Sequence, residues 1–312
     1  MRLDDLPGSD NVEDRRGEGG GGWGGGYGMP VGGGLGIGTI IVLGLVGWAL
    51  GIDPRLLIGG ADVLTRGGGS SYQQPYEQPS QGPIRTTRPK TGMPSDQTGQ
   101  LVSKVLGSTE AVWTNIFGKS GRTYPKPILV IFSGATRSAC GTAQSAMGPF
   151  YCPNDKKIYL DTSFFRDLER RFRGCEGNAC QFSHAYVIAH EVGHHVQDVL
   201  GILPKAQQMQ RGLGRGEANH VQVQVELQAD CLAGVWANHS QERWKFLEPG
   251  DVQAALKTAS AIGDDRLQRQ SQGYVVPDAF THGSSEQRMR WFNTGLKSGT
   301  ISACNTFNAA QL

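Results

Sequence analysis

The residues best suited to chemistry are two histidines and a glutamate in one short segment, residues 190–194, with the pattern HExxH. On a helix, side chains four residues apart point the same way, so His190 and His194 can bind one metal ion while Glu191 lies beside it. Apolar residues at helical spacing surround the segment, which is typical of a buried helix. Burying these groups without a metal is costly, although a solvated helix with incidental histidines is the alternative. The spacing therefore predicts a zinc-dependent hydrolytic site.

A catalytic zinc ion needs a third protein ligand and one position left open for water. Glu226 is the strongest candidate, because it lies in a second helix-forming run and shares a helix face with Asp230, four residues further on. His220 and His195 are competitors for the same role. His195, however, directly follows a ligand and is rotated about 100° away from it around the helix.

Further residues are predicted to support the chemistry. Asp230 would accept the outer ring N–H of a zinc-bound histidine and fix its tautomer, with an ordinary solvated carboxylate as the alternative. His282 is the candidate donor to the developing oxyanion, because no apolar periodicity explains it, and Tyr186 or Tyr274 could serve instead. Two neutral imidazoles and one carboxylate would leave zinc able to lower the pKa of a bound water toward about 7, with Glu191 as the general base.

Short segments spread over nearly the whole chain carry a common pattern. They are residues 9–16 (SDNVEDRR), 148–153 (GPFYCP), 190–197 (HEVGHHVQ), 226–237 (ELQADCLAGVWA), 262–268 (IGDDRLQ), 276–278 (VPD) and 282–288 (HGSSEQR). Together they resemble the bacterial membrane-tethered neutral zinc metallopeptidases, which are similar in motif to the gluzincins. The resemblance implies a zincin-like peptidase domain with His190, His194 and Glu226 as zinc ligands and Glu191 as the catalytic acid/base.

All six cysteines lie between residues 140 and 304, and their number is even. This usage suits an oxidising compartment and favours the pairs 140–152, 175–180 and 231–304, although other connectivities, reduced thiols or metal binding are alternatives. The pair 175–180 departs from the family pattern and could clip a loop at the rim of the active-site cleft. The cysteines therefore predict that the catalytic domain faces the periplasm or the exterior.

An uncharged apolar run, residues 35–52, precedes the cysteines. As a helix it would rise about 27 Å, close to the ~30 Å of bilayer hydrocarbon, which predicts one transmembrane helix. A buried helix or a cleavable signal peptide is the alternative, but the acidic segment before the run favours an uncleaved single-pass anchor in the bacterial inner membrane. Glycines four apart at 34 and 38 and at 47 and 51 suggest a homodimer through this helix.

Composition and patterning complete the predicted organisation of the 312 residues. Residues 1–34 form a glycine-rich flexible N-terminal tail, residues 53–97 a polar linker, and residues 98–312 the zinc metallopeptidase domain. A formal charge of +2 gives no indication of a nucleic-acid partner. A helix is predicted over residues 101–117, and strands over 127–132, 150–151 and 157–161, before a mainly helical remainder. The fold class is therefore α+β, mainly helical with a small β-sheet.

These features predict a membrane-anchored zinc-dependent endopeptidase whose substrate is a peptide or protein. An exposed edge strand before the zinc helix could dock an extended substrate by main-chain pairing. One alternative is a membrane-anchored binding or scaffold protein with a structural zinc ion, which would have a fourth protein ligand. The other is an amidase that acts on cell-wall peptide bonds.

Overall fold

A small β-sheet packs against a larger set of helices in the computed structural model, which describes residues 1–17, 91–170, 175, 177 and 180–312. The strands are β1 (Val12–Asp14), β2 (Ile128–Phe132), β3 (Ala135–Ser138), β4 (Gly141–Gln144), β5 (Phe150–Cys152) and β6 (Lys157–Asp161). The main sheet has the order β1-β2-β6-β5, with β1, β2 and β6 parallel and β5 antiparallel to β6 at the edge. Strands β3 and β4 form a separate antiparallel hairpin.

Strand β2 is buried on both faces, as its unbroken run of apolar and β-branched residues predicts. Leu129 and Ile131 belong to the main core, whereas Val130 and Phe132 pack on the opposite face. The three strands predicted over 127–132, 150–151 and 157–161 are confirmed as β2, β5 and β6. The β3–β4 hairpin was not predicted, because its polar residues show no apolar alternation.

The helices are α1 (Gln97–Lys119), α2 (Ser163–Arg170), α3 (Cys180–Val199), α4 (Ile202–Gln210), α5 (Arg215–Trp244), α6 (Asp251–Ala261), α7 (Asp264–Gln272) and α8 (Ser285–Ser298). Helix α5 packs against both α3 and α8. The fully buried Trp236 of α5 stacks with Phe182 of α3 and donates its Nε1–H to Ser108 of α1 over 3.0 Å. The predicted α+β class, mainly helical with a small sheet, is confirmed.

The first 17 residues are part of this folded unit and not of a flexible tail. Val12 is fully buried, and β1 pairs in parallel with β2 from Val12 to Asp14. Thr91 then bridges to Glu13 before α1 begins at Gln97, so the predicted domain start at residue 98 is also too late. Sequence reasoning missed β1 because three residues, two of them acidic, carry no strand signal by themselves.

Most of the predicted N-terminal architecture lies outside the described residues. This applies to residues 18–34 of the tail, to the apolar run 35–52 with its glycine pairs, and to the linker up to residue 90. None of the helices in the described ranges combines the length and the apolar character that a bilayer crossing requires.

Three disulfides join the six cysteines in the preferred pairs, Cys140–Cys152, Cys175–Cys180 and Cys231–Cys304. The first links the β3–β4 hairpin to the edge strand β5, and the second lies at the start of α3. The third joins α5 to the C-terminal segment, across 73 residues of sequence.

Candidate metal centre

Helices α3 and α5 approach closely where the glycine of the HExxH segment faces an alanine. A Cβ atom added at Gly193 would lie 2.9 Å from the carbonyl oxygen of Ala229, so a larger residue would push the helices apart. This contact brings His190 and His194 of α3 next to Glu226 of α5. One ligand atom from each of the three side chains lies within 4.8 Å of the others.

The three side chains form a compact group of two ring nitrogens and one carboxylate oxygen. Glu226 Oε2 lies 3.2 Å from His190 Nε2 and 3.5 Å from His194 Nε2. All three side chains are largely buried. A nitrogen, nitrogen and oxygen donor set of this kind matches that of catalytic zinc sites with two histidines and one glutamate.

His190 is oriented from behind by a buried ionic network. Its Nδ1 donates to Asp230 Oδ1 over 2.8 Å, so the lone pair on Nε2 points into the centre. Arg288 of α8 donates to both carboxylate oxygens of Asp230, over 2.8 and 3.0 Å, and Tyr186 donates its hydroxyl to Oδ1 over 2.6 Å. Burial alone would raise the pKa of Asp230, but the charge of Arg288 and the hydrogen bonds from His190 and Arg288 lower it to about 2. Asp230 is therefore a fixed anion.

Glutamine side chains orient the other two members of the group. His194 Nδ1 donates to Gln197 Oε1 over 2.9 Å, which again leaves the lone pair on Nε2. Gln222 donates to Glu226 Oε1 over 2.9 Å and leaves Oε2 for the centre. Burial opposes ionisation of Glu226, but the neighbouring His194 and His190 hold its pKa well below the usual value.

The glutamine bound to His194 is itself the start of a chain of amide hydrogen bonds. Gln197 Nε2 donates to Gln228 Oε1 over 2.9 Å, and Gln228 Nε2 donates to the carbonyl oxygen of Cys304 over 2.9 Å. The disulfide to Cys231 holds Cys304 against α5. The orientation of His194 is thus connected to the C-terminal segment of the domain.

Glu191 lies beside the ligand group with one oxygen unused. Its side chain is buried, and Oε2 is a buried acceptor without a hydrogen-bond partner. Burial raises the pKa of Glu191, although the charges of His194 and His190 oppose this. Among the described residues, no further histidine, cysteine, aspartate or glutamate joins the three-residue group. The residues therefore fit a zinc ion that keeps an open position, with an acceptor nearby for a water molecule.

Comparison with known proteins agrees with this geometry. A family model described as "Putative neutral zinc metallopeptidase" matches residues 1–307. The chain belongs to the neutral zinc metallopeptidase family. The match begins at residue 1 and so includes β1 as well as the metal centre.

Relatives of this metallopeptidase family member occur in Escherichia coli and Mycobacterium tuberculosis. The Escherichia coli K12 protein named "Uncharacterized protein YpfJ" is 45% identical over 307 residues, covering 98% of this chain and 99% of its own length. The Mycobacterium tuberculosis H37Rv protein named "Uncharacterized protein Rv2575" is 45% identical over 215 residues, covering 66% of this chain and 69% of its own. No solved structure was found to match the chain.

In this metallopeptidase family member, His282 lies near the centre but outside the three-residue group. Its ring is about half exposed, and its positive charge lowers the pKa of Glu226. Asp264 holds it through three contacts: Oδ1 lies 3.2 Å from the ring Nδ1, while Oδ2 accepts the backbone N–H groups of His282 (2.6 Å) and Gly283 (3.1 Å). One carboxylate thus fixes both the ring and the turn that carries it.

The competing residues do not join the metal centre. His195 is buried with Nε2 donating to the carbonyl oxygen of Pro125 over 2.6 Å, and His220 is exposed near the start of α5. The proposed oxyanion alternative Tyr186 is fully buried, and its hydroxyl is engaged by Asp230. Tyr274 is 64% exposed.

Sequence reasoning missed the partners Gln197, Gln222, Arg288 and Asp264. The two glutamines could have been found, because they lie three residues after His194 and four before Glu226 on the same helices. Arg288 and Asp264 lie far along the chain from the residues they support, so no local spacing indicates them.

Proposed function

We propose that the protein is a zinc-dependent endopeptidase that hydrolyses peptide bonds at the His190–His194–Glu226 centre. The observation that carries the proposal is the buried, unpaired carboxylate oxygen of Glu191 next to three convergent ligand atoms. A structural zinc site would instead need a fourth protein ligand, which the described residues do not contribute. This favours catalysis over the alternative of a scaffold with a structural metal.

His190, His194 and Glu226 would hold a zinc ion, which would supply a Lewis acid able to polarise a carbonyl group and to lower the pKa of water toward about 7. Glu191 accepts a proton from the attacking water at its free Oε2 and later delivers it to the departing amine. Asp230 and Gln197 hold the two imidazoles in the tautomer that presents Nε2.

His282 is proposed to donate to the substrate carbonyl oxygen as negative charge develops there. Asp264 favours the protonated ring and holds it through its Nδ1, which leaves Nε2–H free to donate. The ring is half exposed, so an incoming substrate can reach it.

The edge strand β5 is proposed to align the substrate. It is fixed beside the metal-binding helix, because Tyr151 donates its hydroxyl to Asp198 of α3 over 2.8 Å. An extended peptide can add to a sheet edge through main-chain hydrogen bonds, which select for conformation more than for side chains. We therefore expect cleavage of unfolded polypeptides with little sequence preference.

The three disulfides support a location in the periplasm or outside the cell. All are formed within the domain, and such bonds persist in oxidising compartments while cytosolic thiols are kept reduced. A zinc peptidase in this location meets secreted or misfolded envelope proteins as substrates.

Metal analysis combined with hydrolysis of an unfolded protein tests the proposal. Glu191→Gln should retain zinc and lose hydrolysis, whereas His194→Ala and Glu226→Ala should lose both. Glu242→Gln, an exposed change on α5, is the matched control and should keep both. Hydrolysis by Glu191→Gln at the rate of the unmodified protein would refute the mechanism, and hydrolysis of cell-wall peptides but not proteins would identify the amidase instead.

A further inference from the structure

The two ends of the segment 18–90 meet at one edge of the sheet. Thr91 forms a β-bridge with Glu13, and the next residue, Gly92, donates its N–H to the carbonyl oxygen of Val12 over 2.9 Å. Arg16 binds the carboxylate of Asp96 at the start of α1. The chain therefore leaves the domain and returns to it at nearly the same point.

Strand β1 is held in the sheet by backbone hydrogen bonds and by an ion pair. The N–H of Leu129 donates to the carbonyl oxygen of Asn11 over 2.9 Å, and that of Arg15 donates to Ile131 over 2.8 Å. Glu13 is buried and accepts from the neighbouring Arg15 over 2.6 Å and from Lys157 of β6 over 2.7 Å, and the second of these ion pairs forms only while β1 lies in the sheet.

The residues before β1 are fitted to helix α1. Ser9 and Asn11 both donate to the buried carboxylate of Glu110, over 2.8 and 2.7 Å. The chain also runs so close to α1 that a Cβ atom added at Gly107 would lie 2.3 Å from the carbonyl oxygen of Pro7. Helix α1 thus provides the N-terminal segment with a buried hydrogen-bond acceptor, Glu110, and with a glycine, Gly107, that permits close backbone approach.

These contacts conflict with a single membrane crossing by residues 35–52. One crossing would place residues 1–17 and 91–312 on opposite faces of the bilayer. The sequence from 53 to 90 contains charged residues and only short apolar stretches, so it offers no second span. We propose that residues 1–17 lie in the same compartment as the catalytic domain, so that residues 35–52 do not act as a single-pass anchor.

The N-terminal motif SDNVEDRR then contains a strand of the peptidase domain and does not lie on the far side of a membrane. This inference is independent of catalysis, because an inactive protein would have the same arrangement.

Cysteine labelling of the full-length protein in bacterial cells tests the arrangement. Asp10→Cys places a thiol on the exposed loop before β1, and Glu242→Cys places one on exposed α5. A membrane-impermeant maleimide should label both variants in intact cells, or both only after the membrane is disrupted. Labelling of one in intact cells and of the other only after disruption would overturn the proposal. The unmodified protein reports any background from the native cysteines.

A pair of glycine substitutions in α1 provides a second test on the purified full-length protein. Gly107→Ala should lower the melting temperature by several degrees, because the added Cβ displaces the N-terminal segment. Gly118→Ala is the matched control on the same helix, where nothing lies within 4 Å, and it should raise the melting temperature slightly. A rise in both variants would show that residues 7 and 8 do not contact α1.

Discussion

Replacement of Asp230 should separate the stability of the domain from its affinity for zinc. This carboxylate is fully buried and accepts hydrogen bonds from His190, Tyr186 and two nitrogen atoms of Arg288. In Asp230→Asn the guanidinium of Arg288, also buried, loses its counter-charge. Removal of one partner from a buried ion pair costs about 3–5 kcal/mol. For a domain of this size, the melting temperature should fall by on the order of 10 °C.

The same substitution removes the acceptor that orients His190. Loss of such an outer partner weakens metal binding by about 10–100-fold, which corresponds to about 1.4–2.7 kcal/mol. The double variant Asp230→Asn with Arg288→Met should regain most of the melting temperature, because the unpaired charge is gone. Its zinc affinity should remain low, because His190 still lacks a carboxylate acceptor.

Thermal unfolding of the metal-free protein and competition with a fluorescent zinc chelator measure the two effects. Asp167→Asn, an exposed change on α2, serves as the control and should alter neither. Recovery of zinc affinity in the double variant would refute the reasoning, since it would mean that Asp230 acts on the metal only through folding. So would an Asp230→Asn variant whose zinc affinity stays within about threefold of the unmodified protein, well short of the expected loss.

Three other predictions follow from single contacts. Gln197→Leu removes the hydrogen-bond acceptor of His194 and should weaken zinc binding about tenfold or more in chelator competition. Gln208→Leu, an exposed change on α4, is the control. Equal zinc affinities of the two variants would contradict the role of Gln197 in orienting His194. The pKa of Asp264 is lowered from the usual 3.8, because its hydrogen bonds and the charge of His282 outweigh the effect of burial. The ionised carboxylate therefore stabilises the folded domain above pH 3.8, and this stabilisation is lost as the pH falls below that value. The melting difference between Asp264→Asn and the unmodified protein should therefore close under acid, and a constant difference would exclude the ionic contribution. Replacing both Cys231 and Cys304 with serine should cost about 4 kcal/mol in denaturant unfolding, because their disulfide closes 73 residues, and an unchanged midpoint would contradict this.

Local spacing was enough to predict the ligand group, because its members are related by helical geometry. His190 and His194 are one turn apart, as are Glu226 and Asp230, so each pair shares a face whatever the rest of the fold does. The apolar strand β2 was predicted for a similar reason, since its buried residues are contiguous. The cysteine pairs 140–152 and 175–180 were favoured by their short separations.

The N-terminal strand could not be predicted, because nothing within residues 1–17 forces a strand. Val12–Asp14 adopts that conformation only because β2 offers an edge and Lys157 offers a charge. The sequence pattern instead emphasised the glycine-rich stretch that follows, which led to the prediction of a flexible tail over residues 1–34.

The sequence by itself determined which side chains can bind a metal and perform acid/base chemistry, since four-residue periodicity on a helix sets these relations locally. Only the tertiary structure decided that α3 and α5 meet at Gly193, that Arg288 neutralises Asp230, and that Asp264 holds His282. The physical reason is that these contacts join segments 18 to 58 residues apart in the chain. Their geometry depends on how whole helices and strands pack, which no short stretch of sequence specifies.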